Sequence, residues 1–580
     1  MVCLYKILMQ IQEVSNITKQ EDDYYIKEYY LSQVYNCQVH YKENEFNIIV
    51  GIKKDFPLTN LYVFWADYRE HFFPHVEEND GKVCYMDDES YIFDNENIAG
   101  IVSSCINMSV EQIYRGKNEL NKEDFINEFE PYWDRLDNKI PISCYIKLDK
   151  NIKIIKTYLL EDMFIAYENK VDLDKLVLKT KHVFNDDNIG RGIYIPLESN
   201  KQIFPPKHNE MWNIGKLKSI IFSNISVKNI NILNRMLKSS QKFIKSIIIS
   251  FPKLNGEIGI FGILISNITK IKGNNKFSAH PLISPFFKCK IIPLTVERKD
   301  KNFLLNRGGA VEDLLDKKIL VLGCGSLGGY IIEELVKVGI SKLTIVDKDK
   351  FKDENVFRHV LGEDQVNPKL SYKAEEMKKY LDRKYKNISV DTIAYDLIDS
   401  IEDGAIVLKE YDLIVVAIGN PNIEFYLNKK IYELEKQLPT IYTWIEAYGI
   451  GGHVLVTNNS KYGCYNCLYY DNFTLERVLI NKASLININE NIIKKKAGCG
   501  SSYIPYSALD AIQTAILCVR TSLEVLLGEE RNNPLLTWKG DNKYNVKTTS
   551  RYNLSVEKMI ESKYLYKSEK CNVCNIKEIK

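Results

Sequence analysis

The residues whose types and spacing can do chemistry fall into four groups. Cys464-x-x-Cys467 and Cys571-x-x-Cys574 are two thiol pairs, the second beginning 104 positions beyond Cys467. Four thiolates in two such pairs can close a tetrahedral zinc site. Gly323-x-Gly325-x-x-Gly328 follows the apolar run Ile319–Leu322 and opens a stretch with apolar positions Ile331, Ile332, Leu335 and Val336. That is a strand, a turn and a helix, in which backbone N–H groups come close to phosphate oxygens. A second strand, Leu343–Val346, ends on Asp347, about 20 residues on, where an acid reaches a ribose. Finally, Cys84 and Cys499 each stand beside turn residues, in Asp80-Gly81-Lys82-Val83-Cys84 and in Ala497-Gly498-Cys499-Gly500-Ser501-Ser502. A thiol in an exposed loop can carry an acyl group.

The text after Asp347 separates the candidate nucleotides. A nicotinamide enzyme needs little polar chemistry there, whereas Asp347-x-Asp349 leads to Asn355, Arg358, Lys369 and Lys373. Arginine and lysine neutralise a triphosphate and the charge developing at its α-phosphorus, and a nearby acid can hold Mg2+. The reading is ATP with Mg2+.

The rest of the chain must position these groups. A length of 580 residues at 45% hydrophobic content predicts two to four domains with ample cores. We expect boundaries at 1–135, 136–300 and 301–580. Lys plus Arg (78) nearly balances Asp plus Glu (76), so charge points to no nucleic-acid partner. The most apolar stretch, Phe243–Ile268, is broken by Pro252, Lys253 and Glu257, so no membrane span is expected, and the protein reads as cytoplasmic. Thirteen cysteines, an odd count, suit reduced thiols with metal and catalytic uses. Cys3, Cys37, Cys105, Cys144 and Cys518 lack such a setting and read as core or incidental. Leu61–Trp65 reads as a strand before the Cys84 loop. Residues 136–300 alternate apolar strand-like runs with polar loops (Ile152–Leu159, Ser246–Phe251, Ile258–Ile265), and His182, His208 and His280 there read as structural. After Cys499 a helix is predicted from Pro505 to Leu527, with an apolar face through Ala508, Ile512, Ala515 and Leu523.

Two family resemblances attach to these motifs. GCGSLG, then VDKDKFKDENVFRH, then a lysine before a helix resembles the adenylation domain of ubiquitin-activating enzymes and of the ThiF-type enzymes that activate sulfur carriers. The resemblance implies that Asp347 holds the ribose, that Asn355 and Arg358 hold phosphates, and that Lys373 or its rival Lys369 lies near the α-phosphate. It also implies an arginine, here Arg307, that contacts phosphate, often across a homodimer, and a catalytic cysteine at Cys499 in a loop crossing the adenylate. The family's usual aspartate after the third strand is Gly419 here, which leaves the Mg2+ ligand open. PHVEENDGKVCY in turn is similar to the active-site segment of ubiquitin-conjugating enzymes, with Cys84 as nucleophile. The upstream element departs from that family: Pro74-His75-Val76 reverses His and Pro and has no Asn, so His75 or a backbone N–H must supply the oxyanion donor.

Together these resemble the activating/conjugating fusion enzyme of type II CBASS anti-phage operons. The expected fold is therefore multidomain α/β and α+β: a ubiquitin-conjugating-like α+β domain, a spacer and a Rossmann-like ThiF-type adenylation domain. The implied function is ATP-dependent activation of the C-terminus of a cGAS/DncV-like nucleotidyltransferase, passage through Cys499 and Cys84 as thioesters, and transfer to an acceptor amine. A sulfur-carrier adenylyltransferase and a non-catalytic nucleotide-sensing scaffold are the alternatives.

Overall fold

The computed structural model describes residues 2–20, 23–86, 94–160, 163–168, 188–201, 203–239, 244–270, 280–284, 287–309, 311–367, 371–385, 388–434, 437–458, 462–470, 479–490, 492, 494–495 and 502–575. Lys369, Cys499 and His182 lie outside them. The chain divides into two compact units, Met1–Asp300 and Lys301–Lys580. Among the described residues no helix is long and apolar enough to cross a membrane.

The first unit begins with an antiparallel meander of β1 (Val14–Lys19), β2 (Gln33–Tyr41), β3 (Asn44–Ile52) and β4 (Tyr62–Trp65). One face of the sheet carries Val39, Phe46, Ile48, Val50 and Trp65 into a core. Helix α1 (Ile98–Lys117) covers that face with Val102, Ile106, Val110 and Ile113, a helical stripe, and Asn97 caps it by accepting the Gly100 N–H at 2.9 Å. Cys37 and Cys105 are buried here, as expected, whereas Cys3 is exposed.

The apolar runs between residues 140 and 298 close into a barrel. Its strands are β5 (Ile140–Cys144), β6 (Lys153–Leu160), β7 (Met163–Tyr167), β8 (Ile189–Pro196), β9 (Ser246–Pro252), β10 (Ile258–Lys270) and β11 (Phe287–Arg298), in the order β10-β11-β5-β7-β6-β8-β9. Closure leaves no free sheet edge. Phe129 and Trp133, on helix α2 (Phe129–Trp133), pack with Trp212, Phe251 and Phe261 into the core on the barrel's outer side. His280 is buried, its Nε2 against the Ile244 carbonyl at 2.8 Å and its Nδ1 accepting the Leu282 N–H at 3.2 Å, a satisfied structural histidine.

In the second unit β12 (Lys318–Leu322), α3 (Ser326–Lys337) and β13 (Lys342–Val346) begin a doubly wound sheet. It continues through α4 (Lys373–Lys384), β14 (Ser389–Ile393), β15 (Leu413–Val416), α5 (Pro421–Tyr432), β16 (Thr440–Ile445), β17 (Gly451–Thr457), α6 (Ala508–Leu526) and β18 (Leu535–Lys539). The strand order is β14-β13-β12-β15-β16-β17-β18, parallel through β16 and antiparallel thereafter. Ile319 to Leu322 are buried completely, as a central parallel strand covered on both faces requires. The order reverses between β12 and β15, and ligands of such sheets bind at the carboxyl ends of the strands at that point.

Helix α6 corrects one expectation. It starts at Ala508 rather than Pro505, because Ser507 and Asp510 form a reciprocal capping box, with the Asp510 N–H on Ser507 Oγ at 3.3 Å and the Ser507 N–H on Asp510 Oδ2 at 2.7 Å. Pro505 stands outside and its carbonyl accepts the Tyr448 N–H at 2.6 Å. The buried face runs through Ala511, Ala515, Cys518, Val519 and Val525, so Ala508, Ile512 and Leu523 are only half-buried.

Candidate active sites

A cavity of about 280 Å³ opens at the switch point of the second unit, floored by the segments that leave β12, β13, β14 and β15. Gly323 turns β12 toward α3 at φ +95°, and a Cβ there would stand 2.6 Å from the Ala417 carbonyl oxygen. Gly328 lets the helix close on the turn, since its Cβ would lie 2.0 Å from the Gly323 carbonyl. Gly325 is the N-cap of α3 and faces open space, so the helix N-terminus is accessible to an anion.

Asp347 leaves β13 beneath this turn. Its Oδ2 accepts the Cys324 N–H at 2.7 Å and its Oδ1 the Asp349 N–H at 2.8 Å. Burial pushes its carboxyl above the ordinary aspartate range, against the pull of Lys373 and the two N–H donors. Lys373, the first residue of α4, reaches Asp349 Oδ2 with Nζ at 2.9 Å, and its N–H meets the Asp349 carbonyl at 2.8 Å. Asn355 Oδ1 accepts the Lys352 N–H at 3.1 Å. The Arg358 guanidinium lies 5.8 Å from the Tyr506 ring centroid and, among the described residues, has no carboxylate partner.

The cavity therefore gathers Gly323, Gly325, Asp347, Asp349, Asn355, Arg358 and Lys373. Gly328 supports it from behind, and Arg307, exposed at the end of the helix Lys301–Arg307, does not line it. The cavity lining also includes the apolar Leu322, Val346, Leu397, Ile418 and Ile423, which suit a base, beside polar groups that suit phosphates. Sequence reasoning missed Ser326, Lys348, His359, Asp396 and Tyr506. Of these only Asp396 had a signal, as the acid following a parallel strand; it caps a short helix through the Ile398 N–H at 2.9 Å and pairs with Lys348 at 2.7 Å.

His359 fixes the base of the glycine turn. Its Nε2 meets the Cys324 carbonyl at 2.8 Å and its Nδ1 accepts the Leu361 N–H at 3.0 Å, so the ring is neutral with hydrogen on Nε2. Burial lowers its pKa to about 4. The unfolded chain then binds a proton that the folded one refuses between about pH 6.5 and 4. Stability should fall as pH drops through that window, by up to ~3 kcal/mol from this ring. Thermal unfolding of wild type and His359→Gln at pH 7.5 and 5 checks it, the variant showing the smaller pH dependence.

In the first unit Cys84 follows the tight turn at Gly81, whose φ is +76°, and is exposed. The Cys84 N–H donates to the His75 carbonyl at 2.8 Å, and Val76 bridges to Val83, so the strand-like segment 82–84 is clamped against residues 75–77. Tyr132 Oη accepts the His75 N–H at 3.0 Å, and the His75 ring faces Asp124 at 3.0 Å and Glu128 at 3.4 Å. The His75 ring and the His75 N–H are thus engaged, and the expectation of a backbone N–H donor stays open to other residues. Surrounding protein and the charge of Glu77 push the Cys84 thiol up, and Lys82 and Arg135 offset this in part. At rest the group is a thiol rather than a thiolate.

The four cysteines of the two pairs are buried, and their sulfurs lie within 4.8 Å of one another, with Cys464 and Cys571 3.6 Å apart and Cys467 and Cys574 3.5 Å apart. A tetrahedron of Zn–S bonds of about 2.3 Å separates its sulfurs by roughly 3.8 Å, so the donor set fits zinc.

A sheet of this order with a phosphate-facing glycine turn, and a separate α+β domain presenting a cysteine after a D-G-x-V turn, define an activating and conjugating ligase built as a fusion. Residues 301–558 match the ThiF family model and residues 10–141 the prokaryotic E2 family B model. The chain is 22% identical to the ATP-dependent ubiquitin transferase-like protein Cap2 of Escherichia coli (strain TW11681), over 93% of this chain and 94% of that protein. It is 29% identical to the Cap2 protein of Pseudomonas aeruginosa (strain BWHPSA011 / Pa011), over 42% of each chain. With the Vibrio cholerae Cap2 protein it shares 28%, over 44% of this chain and 43% of that one. The chain thus carries a ThiF-family domain over residues 301–558 and a prokaryotic E2 family B domain over residues 10–141, and it is similar along most of its length to an ATP-dependent ubiquitin transferase-like protein.

Proposed function

We propose that this chain activates the C-terminal carboxylate of a partner protein and conjugates it to an amine. The carboxylate oxygen attacks the α-phosphorus of ATP and pyrophosphate leaves, giving an acyl-adenylate. The Cys499 thiol, losing its proton, displaces AMP and forms a thioester; Cys84 takes the acyl group by exchange; an amine attacks and the Cys84 thiol is released. The observation that carries this reading is the pairing in one chain of the switch-point cavity with an exposed Cys84 after Asp80-Gly81-Lys82-Val83. Cys84 argues against the sulfur-carrier alternative, which has no use for a second acyl-carrying thiol.

In the cavity we assign Asp347 to the ribose, and Asn355, Arg358 and the α3 N-terminus to the phosphates. We place Lys373 near the α-phosphate once it exchanges Asp349 for the nucleotide. Asp349, whose carboxylate is 65% exposed, keeps oxygens free for Mg2+, which would neutralise phosphate charge; Gly419 offers no ligand. The exposed Arg307 fits a reach into the partner subunit of a homodimer. The proposed partner is a cGAS/DncV-like nucleotidyltransferase of the same operon, in anti-phage defence. Incubating the two with ATP and Mg2+ should give a product amide-linked through the nucleotidyltransferase's last residue. The same yield from a partner lacking its final residues would contradict the reading.

We assign Cys464, Cys467, Cys571 and Cys574 to one structural zinc ion. Metal analysis of protein purified without chelator should find about one zinc per chain. Cys574→Ser should lower the Tm of the second unit, and a metal-free wild type with unchanged Tm would contradict the assignment.

A further inference from the structure

The loop Ala417–Asn420 walls the cavity through Ala417 and Ile418 and packs on the glycine turn, since the Ala417 carbonyl blocks any Cβ at Gly323. What holds it is a buried acid. Glu424, 4% exposed on the first turn of α5, accepts the Gly419 N–H on Oε1 at 3.1 Å. Its Oε2 accepts the hydroxyl of Tyr465, which stands between Cys464 and Cys467. The Tyr465 hydroxyl also meets that of Tyr469 at 3.1 Å. One turn further along α5, buried Asn428 donates to Asn466 Oδ1 at 2.9 Å and accepts the Tyr465 N–H at 3.4 Å. Glu424 does not line the cavity, and burial raises its carboxyl against the Tyr465 and Gly419 donors. An acid held there against its desolvation cost, with one oxygen bonded to Gly419 and the other to Tyr465, ties two elements together.

We propose that Glu424 is a positioning residue: it fixes the Ala417–Asn420 wall of the nucleotide cavity to the four-cysteine cluster through Tyr465. This rests on the cavity being the ATP site. The path runs from Cys464 and Cys467 through Tyr465 and Glu424 to Gly419, and from Ala417 to Gly323 at the phosphate turn. Glu424→Ala leaves the Gly419 N–H without its acceptor and frees the wall. Glu424→Gln keeps an oxygen for Gly419 and an amide that can donate to Tyr465, and so preserves the tie.

The test is the Kd for ATP, by calorimetry on the full chain, with zinc content and Tm measured alongside. Glu424→Ala should weaken ATP about tenfold or more with zinc content unchanged, Glu424→Gln should stay within about threefold of wild type, and Tyr465→Phe should fall between. The double variant Glu424→Ala, Tyr465→Phe should bind no worse than Glu424→Ala alone, because both break one chain. Glu333→Ala serves as the control. That buried acid is bonded to Tyr380, Tyr385 and Lys384, none of which lines the cavity, and its loss should lower Tm without moving Kd. A Glu424→Ala protein that binds ATP within twofold of wild type overturns the proposal. So does a Glu333→Ala protein whose Kd rises as much. Failure of the wild type itself to bind ATP would instead strike the assignment of the cavity.

Discussion

Arg358→Ala loses carboxylate-dependent exchange of pyrophosphate into ATP by about 100-fold or more, while the Tm of the second unit changes little. The size follows from where the side chain stands. Arg358 lines the cavity beside the α3 N-terminus, rests near the Tyr506 ring, and among the described residues is paid by no carboxylate, so its charge is free to meet phosphate oxygens. Removing one donor aimed at charge that develops in a transition state costs on the order of 10²–10³ in rate. The fold should survive because Arg358 is half-exposed and its structural contact, the carbonyl that accepts the Ser326 hydroxyl, belongs to the backbone and is untouched. Lys373→Ala should do less harm to folding than its ion pair with Asp349 suggests, since Asp349 is mostly exposed and such pairs contribute ~0–1 kcal/mol. Undiminished exchange in Arg358→Ala rules out the phosphate assignment.

The second large effect belongs to Cys499. Cys499→Ala should still form the acyl-adenylate and release pyrophosphate, yet carry no thioester anywhere on the chain. AMP is a good leaving group, so a thiolate is acylated readily, whereas exchange between two thiols is close to isoenergetic and its order is set by geometry. Cys84 makes a poor first acceptor because its thiol is pushed up by its surroundings and by Glu77. Intact-mass measurement before and after reductant separates the two states. A reductant-sensitive adduct that persists on Cys499→Ala would place the first acylation elsewhere.

The switch-point cavity was legible in the sequence where its residues are strung directly after a strand. Gly323, Gly325, Asp347 and Asp349 follow β12 and β13 within a few positions, and strand, turn and helix leave little choice of where they point. Lys348 stands in that same segment between Asp347 and Asp349, and Asp396 follows β14 as an acid after a parallel strand, whereas Tyr506 was not legible because it arrives from the separate segment before α6, whose meeting with β12 and β13 depends on the whole sheet. Glu424 was hidden for a different reason: nothing in a helical stretch distinguishes an acid that faces solvent from one bonded to Gly419 and Tyr465 in the core. Two cues two residues apart, Pro505 and Ser507, compete for the start of α6. A proline can open a helix, but the Ser507–Asp510 box satisfies more of the free N–H groups. In the first unit the D-G-x-V-C turn was readable residue by residue, whereas closure of the apolar runs into a barrel was not. Alternating strands fix which face is buried, not which edge finds which.

The central claim is that the acyl group passes to Cys84 after Cys499, and the most direct measurement is on Cys84→Ala with ATP, Mg2+ and the partner. Resolved without reductant, the reaction should accumulate an adduct that thiol reagents cleave, mapped by peptide mass to Cys499, with no amide-linked product. Normal yield of amide-linked product from Cys84→Ala would contradict the account and leave the first unit without a conjugating role.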